Sequence, residues 1–283
     1  MNNPVLMPTI AELRRVVAGW RASGEKIALV PTMGALHAGH LALVKQMQGP
    51  KVRVIASIFV NPTQFAPHED LSKYPRPFAT DVAKLREIGT DGVFHPDVTE
   101  MYGENFCTTI SLQGPASVGL EDRFRPAHFA GVATVVAKLI LQAAPDVAIF
   151  GEKDFQQLAV IRQMVRDLNL PVEILGGQTL READGLAMSS RNVYLNERER
   201  HLAPEIHRAL DWCDRHFGKE SIEAELRAAR IRLETFGFVP DYLELRDAVS
   251  LREVSAIERP CRLLFAGRLG TTRLIDNIEI LPR

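Results

Sequence analysis

The stretch "PTMGALHAGH", residues 31–40, follows directly on the apolar run Ile27–Val30 and holds two glycines and two histidines. An apolar run of this length predicts a buried strand, and Gly34 then falls in the loop that leaves it. Gly39 lies where a helix would begin, with unpaired N–H groups and the positive end of the helix dipole. The stretch therefore predicts a site for an anion such as a phosphate.

The two histidines, His37 and His40, are three residues apart and share a face if the helix has begun. Imidazole N–H groups beside a phosphate can stabilise oxygens whose negative charge grows during a transfer reaction. The alternative is a glycine-rich turn in which both histidines only cap or pack, because His-x-Gly-His is short enough to arise by chance. The pattern by itself leaves both interpretations open.

Apolar runs of strand length alternate with stretches of helical period along the first two thirds of the chain. Examples are "KIALVPT" before "AGHLALVKQM", "VRVIASIFV" before "FATDVAKLREIG", and "PDVAIFG" before "FQQLAVIRQMVRDLNL". This order predicts an α/β fold, with a Rossmann-like parallel sheet covered by helices on both faces. No fixed period repeats, which excludes a solenoid.

The pattern changes near Asn192, where two charged amphipathic stretches, each closed by glycine, precede three β-rich ones. The helical stretches are "NERERHLAPEIHRALDWCDRHFG" and "SIEAELRAARIRLETFG", and the β-rich ones are "DYLELRDAV", "RLLFAGRLG" and "TRLIDNIEI". Helices followed by strands predict a smaller α+β domain. We place the catalytic domain at residues 1–187 and the C-terminal domain at 188–283.

Charge and cysteine content limit the classes of protein that the chain can represent. The 283 residues include 34 Lys and Arg against 35 Asp and Glu, a formal net charge of -1, which gives no support for a nucleic-acid or membrane-surface partner. The three cysteines have no Cys-x-x-Cys spacing, which argues against a disulfide framework or a structural zinc site. With neither an export signal nor a membrane-spanning apolar stretch in the sequence, we expect a cytoplasmic protein.

The stretch "SIFVNPTQF", residues 57–65, ends the next predicted strand with Asn61 and Gln64. Ligands of open α/β sheets bind beyond the carboxyl ends of the strands, so both amides are candidates for binding a substrate with hydroxyl or carboxylate groups. Asn-Pro also initiates turns, which is the structural alternative for Asn61. Gln64 is harder to explain as turn chemistry.

The stretch "GEKDFQQL", residues 151–158, again leads from a predicted strand into a helix. Asp154 and Gln157 have the spacing of a capping box, which would explain Asp154 without a ligand. Lys153 at a helix start opposes the helix dipole unless an anion is present. We therefore interpret Lys153 as a phosphate ligand, against the alternative of a solvated surface lysine.

Near the domain boundary, "READGLAMSSRNVYL" places Ser189, Ser190 and Arg191 together. Two hydroxyls and a permanent cation form a mobile clamp for a triphosphate, and the alternative is a hydrophilic linker. Arg125 and His128, with Arg123, precede a long apolar helix, where they either line the same crevice or form the polar start of that helix. The chain has neither a convincing zinc spacing nor a Gly-x-Gly-x-x-Gly motif.

Taken together, six stretches resemble the pantothenate synthetase family, also called pantoate-beta-alanine ligases. They occur in the family's order and close to its spacing: "PTMGALHAGH", "SIFVNPTQF", "DLSKYPR", "RPAHFAGVATVVAKL", "GEKDFQQL" and "DGLAMSSRN". The family shares two signatures with class I aminoacyl-tRNA synthetases, His-x-Gly-His and a motif like Lys-Met-Ser-Lys-Ser. In this chain "MSSRN" resembles the second motif, with Arg191 in place of its usual final lysine. The segment "LEDRFRPAH" departs from the usual pattern at Asp122 and Ala127.

The resemblance implies ATP-dependent condensation of (R)-pantoate with beta-alanine through a pantoyl adenylate, giving pantothenate, AMP and diphosphate. It implies Mg²⁺ with ATP, a homodimer, and a C-terminal domain that acts as a lid. Two alternatives are another His-x-Gly-His adenylyltransferase, such as phosphopantetheine adenylyltransferase, and a catalytically silent ATP-binding module. Such an adenylyltransferase would have no reason to carry both "NPTQF" and "GEKDFQQL". The silent module is disfavoured because His37, His40, Lys153 and Arg191 are all present.

The resemblance also implies a role for individual residues. His40 matches the family's proton donor, and His37, Lys153 and Arg191 are the other expected catalytic residues. Gln64, Gln157 and Asn61 are expected to bind pantoate, Gln64 also beta-alanine, and Asp81 is a candidate Mg²⁺ ligand. The expected ATP contacts are Met33, Gly34, Ala35, Leu36, His37, Ala38, Gly39, His40, Gly151, Glu152, Lys153, Asp154, Leu180, Met188, Ser189, Ser190 and Arg191.

Overall fold

The computed structural model describes residues 3–65, 71–72 and 74–283. The chain forms two compact units. The first comprises Met1–Glu152 and Gln157–Gln178, and the second comprises Lys153–Gln156 and Thr179–Arg283. Asp70 and Lys73 of the "DLSKYPR" stretch lie outside the described residues.

The first unit is built on a parallel sheet. Its strands are β1 (Val5–Met7), β2 (Lys26–Thr32), β3 (Val52–Ile58), β4 (Gly92–Phe94), β5 (Val147–Gly151) and β6 (Glu173–Gly177). Within the described residues these six strands are ordered β1-β4-β3-β2-β5-β6, and every pairing is parallel. The strand order reverses direction between the neighbouring strands β2 and β5. The loops after these two strands therefore leave the sheet at the topological switch point, where open α/β sheets bind ligands.

Helices alternate with these strands along the chain. They are α1 (Ile10–Ala22), α2 (Ala38–Met47), α3 (Phe78–Glu87), α4 (Val98–Met101), α5 (Glu121–Phe124), α6 (His128–Ala143) and α7 (Phe155–Asp167). Helix α6 is buried on nearly all sides, as its largely apolar sequence requires. Leu29 and Ile55 of the sheet join Leu139 of α6 and Ile161 of α7 in one core, none more than 4% exposed.

The second unit consists of helices on an antiparallel sheet. Its elements are α8 (Glu197–Leu202), α9 (Glu205–His216), α10 (Ile222–Thr235), β7 (Phe238–Asp247), β8 (Cys261–Leu269) and β9 (Thr272–Ile280), and the strand order is β7-β8-β9. Leu210, Leu233 and Phe265 lie in its separate core, each at most 1% exposed. Among the described residues of the whole chain, no helix is both long enough and apolar enough to cross a membrane.

The predicted fold class is confirmed: a Rossmann-like parallel sheet and a small α+β C-terminal domain. Two short strands, β1 and β6, were not predicted. The single helix predicted after Asn196 is wrong, because the chain forms α8 and α9 instead. The break falls at Pro204, whose missing N–H and fixed φ favour the start of a new helix.

The predicted division between residues 187 and 188 stays a prediction, and the second compact unit of the structure already begins at Thr179. Thr179 to Ala187 belong to the second unit. A single antiparallel β-bridge pairs the backbones of Arg181 and Ala187, and the Arg181 guanidinium forms an ion pair with Asp276 of β9 at 2.6 Å. The segment Lys153–Gln156 also groups with the second unit, which sequence periodicity cannot reveal because the contacts are made by residues over a hundred positions away.

Candidate active site

The loop after β2 turns sharply before α2 begins. Gly34 has a φ of +82°, and an added Cβ would lie 3.1 Å from both Oδ2 of Asp81 and Cγ2 of Ile58. The Thr32 hydroxyl accepts a hydrogen bond from the Gly34 N–H at 3.1 Å and donates one to the Ser57 carbonyl at 2.6 Å. The left-handed φ and the close neighbours explain the glycine, and the strand, loop and helix occur where the sequence predicts them.

The two histidines lie side by side, with ring centroids 4.0 Å apart. His37 is the N-cap of α2, and its Nδ1 accepts the Gly39 N–H at 3.2 Å. Nδ1 of His40 accepts the His37 N–H at 3.4 Å. Because both Nδ1 atoms accept, each neutral ring carries its proton on Nε2, the nitrogen that can donate to a phosphate oxygen. Capping and ligand binding are therefore compatible in these two residues.

Asp81 of α3 holds this loop by its backbone. The carboxylate is 1% exposed, and its two oxygens accept the N–H groups of Ala35 and Leu36, each at 2.8 Å. One turn further along α3, the Lys84 ammonium donates to the Leu36 carbonyl at 2.6 Å. Asp81 and Lys84 thus clamp both sides of the peptide units that precede His37.

This geometry does not fit the expected role of Asp81 as a Mg²⁺ ligand. Both carboxylate oxygens already accept backbone N–H groups, and the Lys84 cation of α3 contacts the same loop. Among the residues that the structure describes, no group of three or more His, Cys, Asp or Glu side chains could hold a metal ion. A metal cage made of protein side chains is therefore not found in the described part of the chain.

Asn61 is buried beneath Gln64. It is 1% exposed, and its Nδ2 donates to Oε1 of Gln64 at 3.1 Å and to the Gly131 carbonyl at 3.2 Å. Its Oδ1 accepts the Tyr102 hydroxyl at 2.7 Å and caps the 3₁₀ turn Pro62–Gln64. Burial raises the pKa of Tyr102, so this hydroxyl remains a donor. The Asn61 side chain therefore orients Gln64, and its expected contact with pantoate stays a prediction.

The start of α6 fixes the backbone of Gln64. Nδ1 of His128 lies 3.0 Å from the Gln64 carbonyl, and Nη2 of Arg125 donates to the same oxygen at 3.3 Å. The Gln64 amide in turn donates to Sδ of Met33 at 2.9 Å, which joins a predicted pantoate residue to a predicted ATP residue. Arg125 and His128 thus contact the predicted site through the Gln64 carbonyl. This favours the interpretation that they line the crevice over the one in which they only form the polar start of the helix.

Beyond β5, the chain passes from Gly151 through the 3₁₀ turn Glu152–Asp154 into α7. The alternative of a capping box at Asp154 is not favoured, since no side-chain hydrogen bond joins Asp154 or Gln157 to another described residue. The 3₁₀ turn runs directly into the helix, so Asp154 is not in the extended conformation of an N-cap. The half-buried amide of Gln157 is consequently available for a ligand.

Several of the remaining predicted ATP residues belong to the second unit. Lys153 and Ser189 line the same small cavity. Ser189 caps the 3₁₀ turn Ser190–Tyr194 by accepting the Arg191 N–H at 3.2 Å, and the Leu180 carbonyl accepts the Met188 N–H at 3.0 Å. The "MSSRN" segment is therefore a hydrogen-bonded turn, and its expected role in binding a triphosphate stays a prediction.

Comparison with known proteins decides the family. The model of the Pantoate-beta-alanine ligase family matches residues 5–279 of the chain. The chain belongs to this family. A pantothenate synthetase of Rhodopseudomonas palustris (strain HaA2) is 52% identical over 98% of this chain and 99% of its own length. One of Paramagnetospirillum magneticum is 53% identical over 98% of both chains.

Solved structures of pantothenate synthetases share the fold. The crystal structure of the enzyme from Thermus thermophilus has a TM-score of 0.92 and 46% identity, over 98% of this chain and 100% of that one. The pantoate-beta-alanine ligase from Francisella tularensis, complexed with beta-gamma ATP and beta-alanine, has a TM-score of 0.82 and 31% identity over 97% of both chains. The predicted activity is confirmed at this level: the protein is an enzyme of pantothenate biosynthesis, a pantoate-beta-alanine ligase.

Several residues of this ligase that support the site were missed from the sequence. Lys84 follows Asp81 by three positions on a predicted helix, a spacing that could have indicated a joint role. Tyr102 gives no local signal, since its partner Asn61 lies 41 positions away. Asp276 and Asn277 interrupt an apolar strand pattern, and a buried polar pair in such a strand could have been singled out.

Proposed function

We propose that the enzyme condenses (R)-pantoate with beta-alanine in two steps, using ATP and passing through a pantoyl adenylate. The observation that carries this proposal is the pair of imidazoles at the start of α2, whose Nδ1 atoms accept backbone N–H groups. In the proposed reaction the Nε2–H group of each ring donates to a phosphate oxygen, and the backbone contact at Nδ1 supports this orientation. The ATP and beta-alanine named in the Francisella tularensis complex support the same choice of substrates.

In the first step, a pantoate carboxylate oxygen attacks the α-phosphorus of ATP, and the bond to the leaving diphosphate breaks. Negative charge spreads over the phosphate oxygens, so catalysis depends on positioned donors and cations. We assign these roles to His37, His40, Lys153 and Arg191, with His40 as the proton donor. The hydroxyls of Ser189 and Ser190 and the loop residues expected from the sequence complete the proposed ATP contacts.

Pantoate binding is assigned to Gln64 and Gln157. A primary amide both donates and accepts, which suits a substrate that carries hydroxyl groups and a carboxylate. Gln157 makes no side-chain hydrogen bond to a described residue, and Gln64 is oriented by Asn61 below it. We therefore propose a direct contact for the two glutamines and a supporting role for Asn61, in place of the direct contact expected from the sequence.

In the second step, the amine of beta-alanine attacks the carbonyl carbon of the adenylate, and AMP leaves with the electron pair of the C–O bond. The amine loses a proton, and AMP needs little acid assistance because it is a good leaving group. Gln64 is the proposed contact for beta-alanine. Water must be excluded at this stage, since hydrolysis of the adenylate would waste ATP, and closure of the C-terminal lid domain is the proposed means.

Mg²⁺ is proposed to enter with ATP, held by phosphate oxygens and water rather than by a protein cage. When bound, the ion neutralises phosphate charge. This proposal is supported by the engagement of Asp81 with the backbone N–H groups of Ala35 and Leu36. A cytoplasmic location and a homodimer, both expected from the sequence, also remain proposals, and light scattering of the purified protein tests the dimer.

The test is diphosphate release by the purified protein with ATP, Mg²⁺ and (R)-pantoate, with and without beta-alanine. We expect pantoate-dependent release, and pantothenate and AMP only when beta-alanine is present. His40→Ala removes one positioned donor and should lower the rate by about 100-fold or more. His201→Ala, at an exposed position of α8, is the matched control and should retain the wild-type rate. ATP binding without any dependence on pantoate would refute the ligase.

A further inference from the structure

The backbone of Lys153 is attached to strand β9 of the second unit. Nδ2 of Asn277 donates to the Lys153 carbonyl at 2.8 Å, across 124 positions of sequence. Asn277 is 4% exposed. A second contact secures the same segment, because the Arg262 guanidinium of β8 lies 4.1 Å from the ring centroid of Phe155. These contacts explain why Lys153–Gln156 group with the second unit although the chain on either side belongs to the first.

Asn277 is itself held by a buried ion pair. Nη1 and Nη2 of Arg181 donate to the two carboxylate oxygens of Asp276 at 2.6 and 2.9 Å, and the Asp276 side chain is 3% exposed. Oδ1 of Asp276 also accepts the Asn277 N–H at 2.7 Å, and Arg181 donates to the Asn277 carbonyl at 3.3 Å. A bidentate pair of this kind fixes geometry as well as charge, so the Asn277 backbone has little freedom.

Arg181 of the same ion pair also contacts the segment that leads to the serines. Its Nη1 donates to the Gly185 carbonyl at 3.1 Å, and its backbone forms a β-bridge with Ala187, two residues before Ser189. Ser189 and Lys153 line one small cavity, and Asp276 lies in its wall. Arg181, Asp276 and Asn277 thus connect, within one unit, the backbone of the lysine with that of the serine turn.

We propose that Asn277, held by the Arg181–Asp276 pair, is a positioning residue that fixes Lys153 relative to Ser189 so that both meet the phosphates of ATP as one preformed group. This inference rests on the proposed role of Lys153 in ATP binding. Preorganisation matters here because a donor displaced by about an ångström loses much of its effect on a transition state. The side chain of Asn277 has no need to touch ATP for this role.

The test is a double-mutant cycle of Asn277→Leu and Lys153→Ala, read as KM for ATP and kcat/KM in the diphosphate-release assay. Asn277→Leu keeps the approximate shape and removes the donor, and we expect kcat/KM for ATP to fall by about tenfold, the size of one lost buried hydrogen bond. KM for pantoate should change little. In the Lys153→Ala background, the same substitution should have almost no further effect, because residues that act as a unit are not additive.

Two further variants separate positioning from general destabilisation. Ile280→Val shortens a buried side chain that lies on the same strand in the core of the second unit, three positions after Asn277, and it should leave KM for ATP unchanged. Asn277→Ser, which is too short to reach the Lys153 carbonyl, repeats the test if the leucine variant does not fold. Thermal midpoints are measured for every variant.

Each outcome bears on a different statement. Additive effects in the cycle, or an unchanged KM for ATP in both Asn277 variants, would overturn the positioning role while leaving the ligase intact. A Lys153→Ala variant with wild-type kinetics would overturn it too, by removing the residue through which Asn277 acts. A wild-type enzyme that shows no pantoate-dependent release would instead refute the proposed function itself.

Discussion

Asp81 illustrates at the scale of one residue how a carboxylate can serve a phosphate site without binding a metal. Asp81→Asn leaves one oxygen to accept a backbone N–H, but its NH₂ group then faces the other N–H of Ala35 or Leu36. A buried donor left unsatisfied costs about 1–3 kcal/mol. We expect a lower thermal midpoint and a kcat/KM for ATP reduced by about tenfold or more, since the loop that carries His37 loses its anchor.

A magnesium titration separates the two roles of Asp81. A loop anchor predicts that Asp81→Asn reaches half-maximal activity at the same Mg²⁺ concentration as the wild type, whereas a metal ligand predicts a higher requirement and recovery at high Mg²⁺. Asp91→Asn is the matched control, because Oδ2 of Asp91 accepts the Val54 N–H of strand β3 at 2.8 Å. It should lower stability without changing KM for ATP.

At the scale of secondary-structure elements, Gly131 controls how closely α6 approaches the turn that carries Gln64. A Cβ at this position would lie 2.5 Å from the Thr63 carbonyl oxygen and 2.8 Å from the Gln64 nitrogen. Alanine normally stabilises a helix interior by about 1 kcal/mol relative to glycine. Here we expect Gly131→Ala to lower the thermal midpoint and raise KM for pantoate, because the contact is with backbone that must move away.

Gly19 of α1 provides the matched control, because a glycine-to-alanine substitution there should raise stability rather than lower it. An added Cβ there meets no atom within 4 Å among the described residues, and the position is exposed. Gly19→Ala should therefore stabilise the protein by about 0.5–1 kcal/mol and leave KM for pantoate unchanged. If both alanine variants had the same effect on the thermal midpoint, the close contact between α6 and the turn at Gln64 would not be what requires glycine at position 131.

Across the whole molecule, the parts that sequence predicts are those governed by local periodicity. Strand β2 and helix α2 have the predicted bounds because an apolar run, two glycines and a cap all act within a few residues. The conformation at Asp154, the surroundings of Asn61 and the start of the second unit at Thr179 were not predicted in this way. Each depends on distant partners, such as Gly131 for Asn61 and Asp276 for Arg181.

Both units also contain a histidine that is harder to protonate than a free one. Burial lowers the pKa of His95, which follows β4 and packs against the Phe78 ring, with Glu12 partly opposing the shift. Burial and the Arg181 cation lower the pKa of His207 on α9, while Asp211 and Asp276 partly oppose it. The Nδ1 atom of His207 is buried and has no hydrogen-bond partner among the described residues.

These shifts predict that the folded enzyme loses stability on mild acidification. Below the unfolded histidine pKa of about 6.5, the unfolded chain binds protons that His95 and His207 do not yet bind in the folded state, so the free energy of unfolding falls with pH toward the lower folded values. We expect the thermal midpoint to drop between pH 8 and pH 5.5, and to drop less in a variant with His95→Gln and His207→Gln. His201→Gln, on the exposed surface of α8, should follow the wild-type curve. An identical pH dependence in the double variant would show that the acid sensitivity arises from other groups.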